Sequence, residues 1–472
     1  KTDFSQNGAA GKMVEYRPMT VNGAVNYAYD DRYVATFSFA ADGSDNYRPG
    51  NRWGFYPSLG LGWIVSRERF LRDSRMVDLL KLRASVGKNG WDPMGEMRYL
   101  WEGYYTGRGG LNTGNSEHTW HGGTALSYLP NPDVFAEKSL KYDAGIDLRL
   151  WNRLSLNVDL FLEKRSGIVT QDWMIPGASG VDNPPYRNIG RMTNKGFEVQ
   201  LSWADRIGDF NYALTGMASY NSNKVDYMAE VVTVPTAART GRRLDALFGY
   251  VADGFYDWDD FDVGGELREG LPKPTFGAVQ PGDIKYKNLN GDTVIDENDQ
   301  TAIGDSYLPK LQYSFSLAAS YKGFDLFALF QGAAGRDVNL LDAPLQNVAF
   351  RDNGNVYGIA EGRWAYYPEQ GIDTRATATY PRLSLQDNSN NYRNSTLWKR
   401  SGDFLKLRNV ELGYTFAQPS LSKAGISKIR IYLSGVNLLT VSRLMRDYDI
   451  DPEILSGHPA LKSYNLGLTV TF

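Results

Sequence analysis

Residues 140–164, LKYDAGIDLRLWNRLSLNVDLFLEK, decide the fold. Leu140, Tyr142, Ala144, Ile146, Leu148 and Leu150 alternate with Lys141, Asp143, Asp147 and Arg149. An extended chain therefore puts an apolar row on one face and a charged row on the other. After Trp151-Asn152 the scheme repeats, with Leu154, Leu156, Val158, Leu160 and Leu162 against Ser155, Asn157, Asp159 and Glu163. Two such strands with so short a connection pair as an antiparallel hairpin.

The same period of two recurs at 19–29, 197–203, 210–220, 311–321 and 464–472, and in weaker form at 33–41, 56–66, 79–88, 324–333, 405–416 and 429–438. This reads as about thirteen strands of about nine to twelve residues, the length that crosses a tilted membrane barrel wall. Soluble sandwiches prefer strands of about five or six residues. Connections fall into two alternating classes. Short ones lie near 30–31, 67–78, 151–152, 205–208, 322–323 and 417–426; long ones occupy 43–55, 89–138, 165–193, 222–309, 336–402 and 439–461. Such alternation is the habit of outer-membrane β-barrels, with short periplasmic turns and long extracellular loops. The fold expected is therefore all-β, a transmembrane antiparallel barrel, with 222–309 and 336–402 as its largest extracellular loops. The C-terminus, ending on Phe472, is expected in the periplasm.

Composition agrees. The 472 residues carry 51 Lys+Arg against 54 Asp+Glu, a net charge of −3, which supplies no basic field for nucleic acid. There is no Cys, which excludes disulfides, thiolate metal sites and a Cys nucleophile, and only three His, at 118, 121 and 458. No apolar window is long enough for a transmembrane helix, and a mean hydropathy of −0.42 is compatible with a barrel whose inner face is polar. Bacterial single-chain barrels have an even number of strands, so a count of thirteen makes residues 1–472 the C-terminal part of a larger barrel. The opening KTDFSQNGAAGKMVEYR, with no initiator Met and no apolar leader core, points to a processed product or fragment. The competing expectation is a soluble extracellular β-rich carbohydrate-binding protein, in which the apolar rows would meet in one shared core.

The chain resembles the SusC/RagA family of TonB-dependent outer-membrane transporters of Bacteroidota. The resemblance rests on ADGSDNYRPGNRWGFYPSLGLGWIVSRERFL (41–71), LLKLRASVGKNG (79–90), residues 129–169, NIGRMTNKGFEVQLSW (188–203), residues 281–335, DFLKLRNVELGYTF (403–416) and ISKIRIYLSGVNLLT (426–440). It implies a barrel of about 22 strands, of which this chain would hold the last thirteen or so. The plug, the TonB-contacting segment and the remaining N-terminal barrel strands would lie outside it. It also implies TonB–ExbB–ExbD as energy source, a SusD-like surface lipoprotein as lid, and oligosaccharide as cargo, with oligopeptide, as in a RagA-type importer, the alternative. Lys141, Asp143, Asp147, Arg149, Asp159 and Glu163 would then line a wet interior, with lipid against the apolar rows.

Four patterns are candidates for chemistry. Asn288, Asn290, Asp292, the Val294 carbonyl, Asp296 and Asp299 have the spacing of an EF-hand-like loop, able to hold Ca²⁺ or Mg²⁺. The competing reading is an Asx-rich turn that satisfies its own backbone. Asp257, Asp259, Asp260 and Asp262 cluster carboxylates as a solvated acidic loop would, with a glycosidase pair the weaker reading. Glu117, His118 and His121 mimic a zinc spacing but lie in a Gly/Thr/Ser-rich loop without helical period. Trp101, Tyr104, Tyr105, Trp120, Trp364, Tyr366, Tyr367 and Trp398 fall in or beside the long loops. Flat rings there suit a sugar, a peptide or a protein partner; the alternative is an interfacial girdle or loop core. Transport and binding, rather than catalysis, are the expected business of the chain.

Overall fold

The computed structural model describes residues 16–92, 98–103, 105–113, 119–179, 183–342, 348–350, 354–385, 388–416 and 425–472. Its main feature is a 13-stranded sheet. The strands are Met19–Tyr29 (β1), Tyr33–Gly43 (β2), Trp53–Ile64 (β3), Val77–Trp91 (β4), Glu137–Leu150 (β5), Leu154–Gln171 (β6), Tyr186–Ile207 (β7), Phe210–Tyr227 (β8), Leu311–Tyr321 (β9), Phe324–Ala334 (β10), Phe404–Phe416 (β11), Lys428–Ser442 (β12) and Ser463–Thr471 (β13). They are hydrogen-bonded in chain order, each beside its sequence neighbour. Every expected strand is present. Three are much longer than expected: β6 and β8 have 18 residues each and β7 has 22. Their extra residues, at 165–171, 186–196, 204–207 and 221–227, extend the strands beyond the expected apolar rows, because backbone pairing does not require an apolar face.

The short turns set the register. At Asp30-Asp31, Trp151-Asn152 and Lys322-Gly323 both residues have positive φ, between 45° and 90°. That backbone matches the right-handed twist of the flanking strands, which is why two-residue hairpins adopt it even with non-glycine residues. The β9–β10 pair runs without slippage from Tyr321↔Phe324 to Leu311↔Ala334, and places Phe315 opposite Phe330 with ring centroids 4.4 Å apart.

The two faces of the sheet differ as the alternation requires. Leu160, Leu201, Leu214, Phe315, Leu412, Leu433 and Leu466 are exposed, Leu160 by 56 % and Leu466 by 79 %. Among the described residues the buried apolar clusters are built largely from connections, not from these rows. The shared core expected of a soluble sandwich is thus not formed, and that expectation is overturned. No helix among the described residues is long and apolar enough to cross a membrane.

Residue contacts divide the chain into two units. The first comprises Lys1–Leu61, Ser85–Tyr142 and Glu163–Arg191; the second comprises Gly62–Ala84, Asp143–Leu162 and Met192–Phe472. In the first, Tyr47, Leu100 and Val134 form a small core under the connections. In the second, the three long connections after β8, β10 and β12 build a common core around Tyr250, Ile284, Ile295, Leu340, Trp398 and Leu444. Leu444 comes from the short helix α1, Arg443–Tyr448, capped by the Ser442 side chain.

Candidate functional site: the loop layer and the polar face of the sheet

In the second unit the loop layer is held by polar side chains as much as by apolar ones. Asp283, fully buried, accepts hydrogen bonds from the Asn388 and Asn391 side-chain amides, both at 2.9 Å, and pairs with Arg382 at 2.7 Å. Asn391 in turn accepts from the Ile284 amide at 2.8 Å, and its carbonyl accepts from the Trp398 indole at 2.7 Å. The asparagine-rich 388–395 stretch, which reads as solvated loop, is thereby the seam joining two long connections. Burial raises the pKa of the Tyr256 and Tyr286 phenols well above the usual range, which keeps both as neutral donors or acceptors within this layer.

The third connection is latched to the wall. Lys406 of β11 is 1 % exposed and bonds Asp451 and Glu453, each at 2.7 Å, while Arg408 pairs with Glu453. Burial alone would raise the Asp451 carboxyl, but the bond from Lys406 and the Glu453 and Ala460 amides outweigh it, so the group lies below the ordinary carboxylate range. Glu453 is lowered in the same way, burial being outweighed by Arg408 and Lys406.

The expected site residues separate into three groups. Trp398 is 1 % exposed and Trp364 is buried, its ring packed over Gly282, where a Cβ would come within 2.6 Å. Both are loop core and turn no face outward, which corrects their expectation as contact residues. Tyr366 is half-buried beneath the Arg375 guanidinium, 3.8 Å from its centroid, and Tyr367 is exposed. In the first unit, Tyr105 and Trp120 are exposed on a hairpin formed by Tyr105–Thr113 and Thr119–Leu126. Trp120 lies over Gly110, where a Cβ would meet the ring at 2.5 Å. Trp101 is half-buried, with its indole N–H lacking a partner. Tyr104, Glu117 and His118 lie outside the described residues.

The 288–299 turn is closed by its own hydrogen bonds. The Asn288, Asn290 and Asp292 side-chain oxygens accept from the amides of Gly291, Asp292 and Val294 at 2.6, 3.1 and 2.8 Å. Asp299, fully buried, accepts from Leu289 and Asp296 at 2.7 and 2.9 Å, and Asp296 caps Asn298. Gly291 supplies the left-handed residue, with φ +78°. Among the described residues no group of three or more His, Asp or Glu converges as a metal cluster. The acidic run is likewise structural. Asp257 and Asp260 form a capping box around Trp258–Asp260, Asp260 pairs with Lys285 at 3.0 Å, and Asp262 accepts from Gly264 and Glu266.

On the polar face, Arg83 sits among Asp143, Asp147 and Asp159, at 3.7 and 3.3 Å from the first two and bonded to the third. A Cβ at Gly145 would come within 2.6 Å of that guanidinium, so only glycine leaves it room. Beside the cluster, Asn157, Asp159, Glu198, Gln200, Gln312 and Gln331 line a cavity of about 400 Å³. Sequence reasoning named Asp143, Asp147 and Asp159 but missed Arg83, because only strand pairing reveals that one arginine serves three aspartates. One face of the sheet is thus dense in amides and charges, while the other carries exposed leucines.

The model of the family described as TonB dependent receptor-like, β-barrel, matches residues 13–438. TonB-dependent receptor P26 of Formosa agariphila is 30 % identical over 484 residues, 95 % of this chain and 46 % of that protein. TonB-dependent receptor SusC of Bacteroides thetaiotaomicron is 26 % identical over 486 residues, covering 95 % of this chain and 43 % of that protein. The chain thus spans less than half the length of these relatives. Among solved structures, the RagAB peptide transporter aligns with a TM-score of 0.70 at 22 % identity, over 97 % of this chain and 47 % of the other.

Proposed function

Because the chain belongs to the TonB-dependent receptor-like β-barrel family, we propose that it forms wall and surface loops of a SusC-like outer-membrane transporter importing a large nutrient, an oligosaccharide in the first instance. The observation that carries this reading is the two-faced sheet, with leucines exposed along one face and Arg83, Asp159, Glu198 and Gln200 along the other. A wall of this kind separates lipid from a wet passage. The long connections lie outside the cell and receive a SusD-like lipoprotein lid, and energy reaches the passage from TonB–ExbB–ExbD through a part of the protein beyond this chain. Tyr105, Trp120 and Tyr367, the exposed rings of the loops, are offered to cargo or lid.

Uptake of labelled oligosaccharides by cells carrying the intact protein, with and without a protonophore, tests this. Import abolished by the protonophore and by deletion of the gene is expected. Import of oligopeptides alone would move the cargo to the alternative, and import indifferent to the protonophore would remove the energy coupling. We also propose that any Ca²⁺ or Mg²⁺ held at 288–299 is dispensable for the shape of the turn, since its oxygens are already bonded to its own amides. EDTA followed by limited proteolysis should leave cleavage there unchanged; new cleavage within 288–299 would reverse this.

A further inference from the structure

At the long-loop end of the polar face, within the first unit, lies a cavity of about 360 Å³ lined by Trp91, Glu137, Ser139, Lys141, Glu163 and Arg165. It falls in the size range of small-ligand sites, about 300–1,000 Å³. Glu137 is 3 % exposed; one carboxylate oxygen accepts from the Val169 amide at 3.0 Å and the other has no hydrogen-bond donor. The hydroxyl of Ser139, also buried, and one oxygen of Glu163 are without partners as well. The cations stand back: Arg165 is 3.9 Å from Glu137 and 3.6 Å from Glu163, and Lys141 is 4.0 Å from Glu163. Trp91, more than half exposed, forms the aromatic wall, with Arg165 over its ring at 5.6 Å.

Buried acceptors without donors are costly, and three of them on residues lining one cavity favour a guest that brings donors. An anionic guest is disfavoured by two carboxylates. An ammonium guest is disfavoured by two cations already within 4.0 Å of those carboxylates. A hydroxyl suits both neighbours, because it donates to a carboxylate while accepting from Lys or Arg. A ring carrying several hydroxyls also has a C–H face that packs on an indole. We infer that this cavity is a subsite for one neutral, polyhydroxylated ring of the cargo, read by Trp91, Glu137 and Ser139 in the wall rather than by the loops. The inference deepens the transporter reading and relies on it only for how the ring arrives.

The test is calorimetric titration of the intact full-length protein in detergent with short neutral gluco-, manno-, xylo- and fructo-oligosaccharides, and separately with an oligopeptide library. Binding of at least one neutral oligosaccharide is expected. Its affinity should fall by about tenfold or more in Trp91→Ala and in Glu137→Gln, the loss of one ring contact or one bond to a charged group. Glu137→Gln keeps an oxygen for the Val169 amide, and an unchanged elution profile and melting temperature show that it folds. Wild-type affinity in both variants, binding of peptides alone, or no binding by any sugar tested would overturn the subsite. If sugars bind here but energised cells import nothing, the transporter reading falls and the subsite stands. If cells import peptides and no sugar binds, the subsite falls together with the oligosaccharide cargo, and the transporter reading stands.

Discussion

The wall and the loop layer of the second unit use the same residues in opposite ways. In the wall, Leu160, Leu433 and Leu466 face outward, and charges such as Arg83 and Asp159 face one another across the polar side. In the loop layer, Leu340, Leu444 and Trp398 are buried and the surface is polar. Two solvents explain the inversion. Hydrocarbon meets the wall, so apolar side chains there stabilise by staying out; water meets the loops, so apolar side chains there stabilise by going in. One chain can fold both ways because its strands carry a strict period of two and its long connections carry none.

The largest effects should be in the loop layer. Trp398→Ala empties the center of its core and breaks the bond to the Asn391 carbonyl, at a cost of about 3–5 kcal/mol. Lys406→Met strands the buried Asp451 without its cation, leaves Glu453 with Arg408 alone, and should cost about as much, about 3–5 kcal/mol for a broken buried pair. Limited proteolysis of the long connections reads both, and strands β1–β13 should stay folded in each. In the wall, Leu160→Lys should cost about 2–4 kcal/mol in a bilayer. A negligible cost in lipid vesicles would mean that this face meets water, and the contrast between the regions would collapse.

Smaller effects sharpen the picture. The folded pKa values of Asp451 and Glu453 are lowered, so their stabilisation is complete above the unfolded value of about 4 and is lost as the pH falls through the lower folded values. Protease sensitivity of 449–462 should therefore be flat from about pH 8 to about pH 5 and rise only below about pH 4. Smallest of all, Lys322 has φ +45° in the β9–β10 turn, and Lys322→Gly should stabilise the hairpin by up to about 1 kcal/mol. Thermal melting of the two proteins checks it.

The wall was legible because its signal is local. Five residues such as Leu154 to Val158 suffice to show the alternation, and Trp151-Asn152 announces the turn. The ends of β6, β7 and β8 were not, since a ladder can outrun its apolar row. The loop layer was opaque for a different reason: its core joins residues more than a hundred positions apart, as Ile284 with Asn391, and its most buried seam is made of asparagines that locally read as solvent-facing. The same limit applied to the aromatic rings. Sequence placed Trp120 and Trp398 in one class, and only packing shows that the first is exposed and the second enclosed.

The account stands on the two faces of one strand, and β6 tests it most directly. This chain has no cysteine, so Asn157→Cys and Leu160→Cys each introduce one reporter, three residues apart on opposite faces. In the protein inserted in membranes, a water-soluble maleimide should modify Asn157→Cys and spare Leu160→Cys, which should react instead with a lipid-dissolved probe. Equal modification of both by the water-soluble reagent would contradict the account.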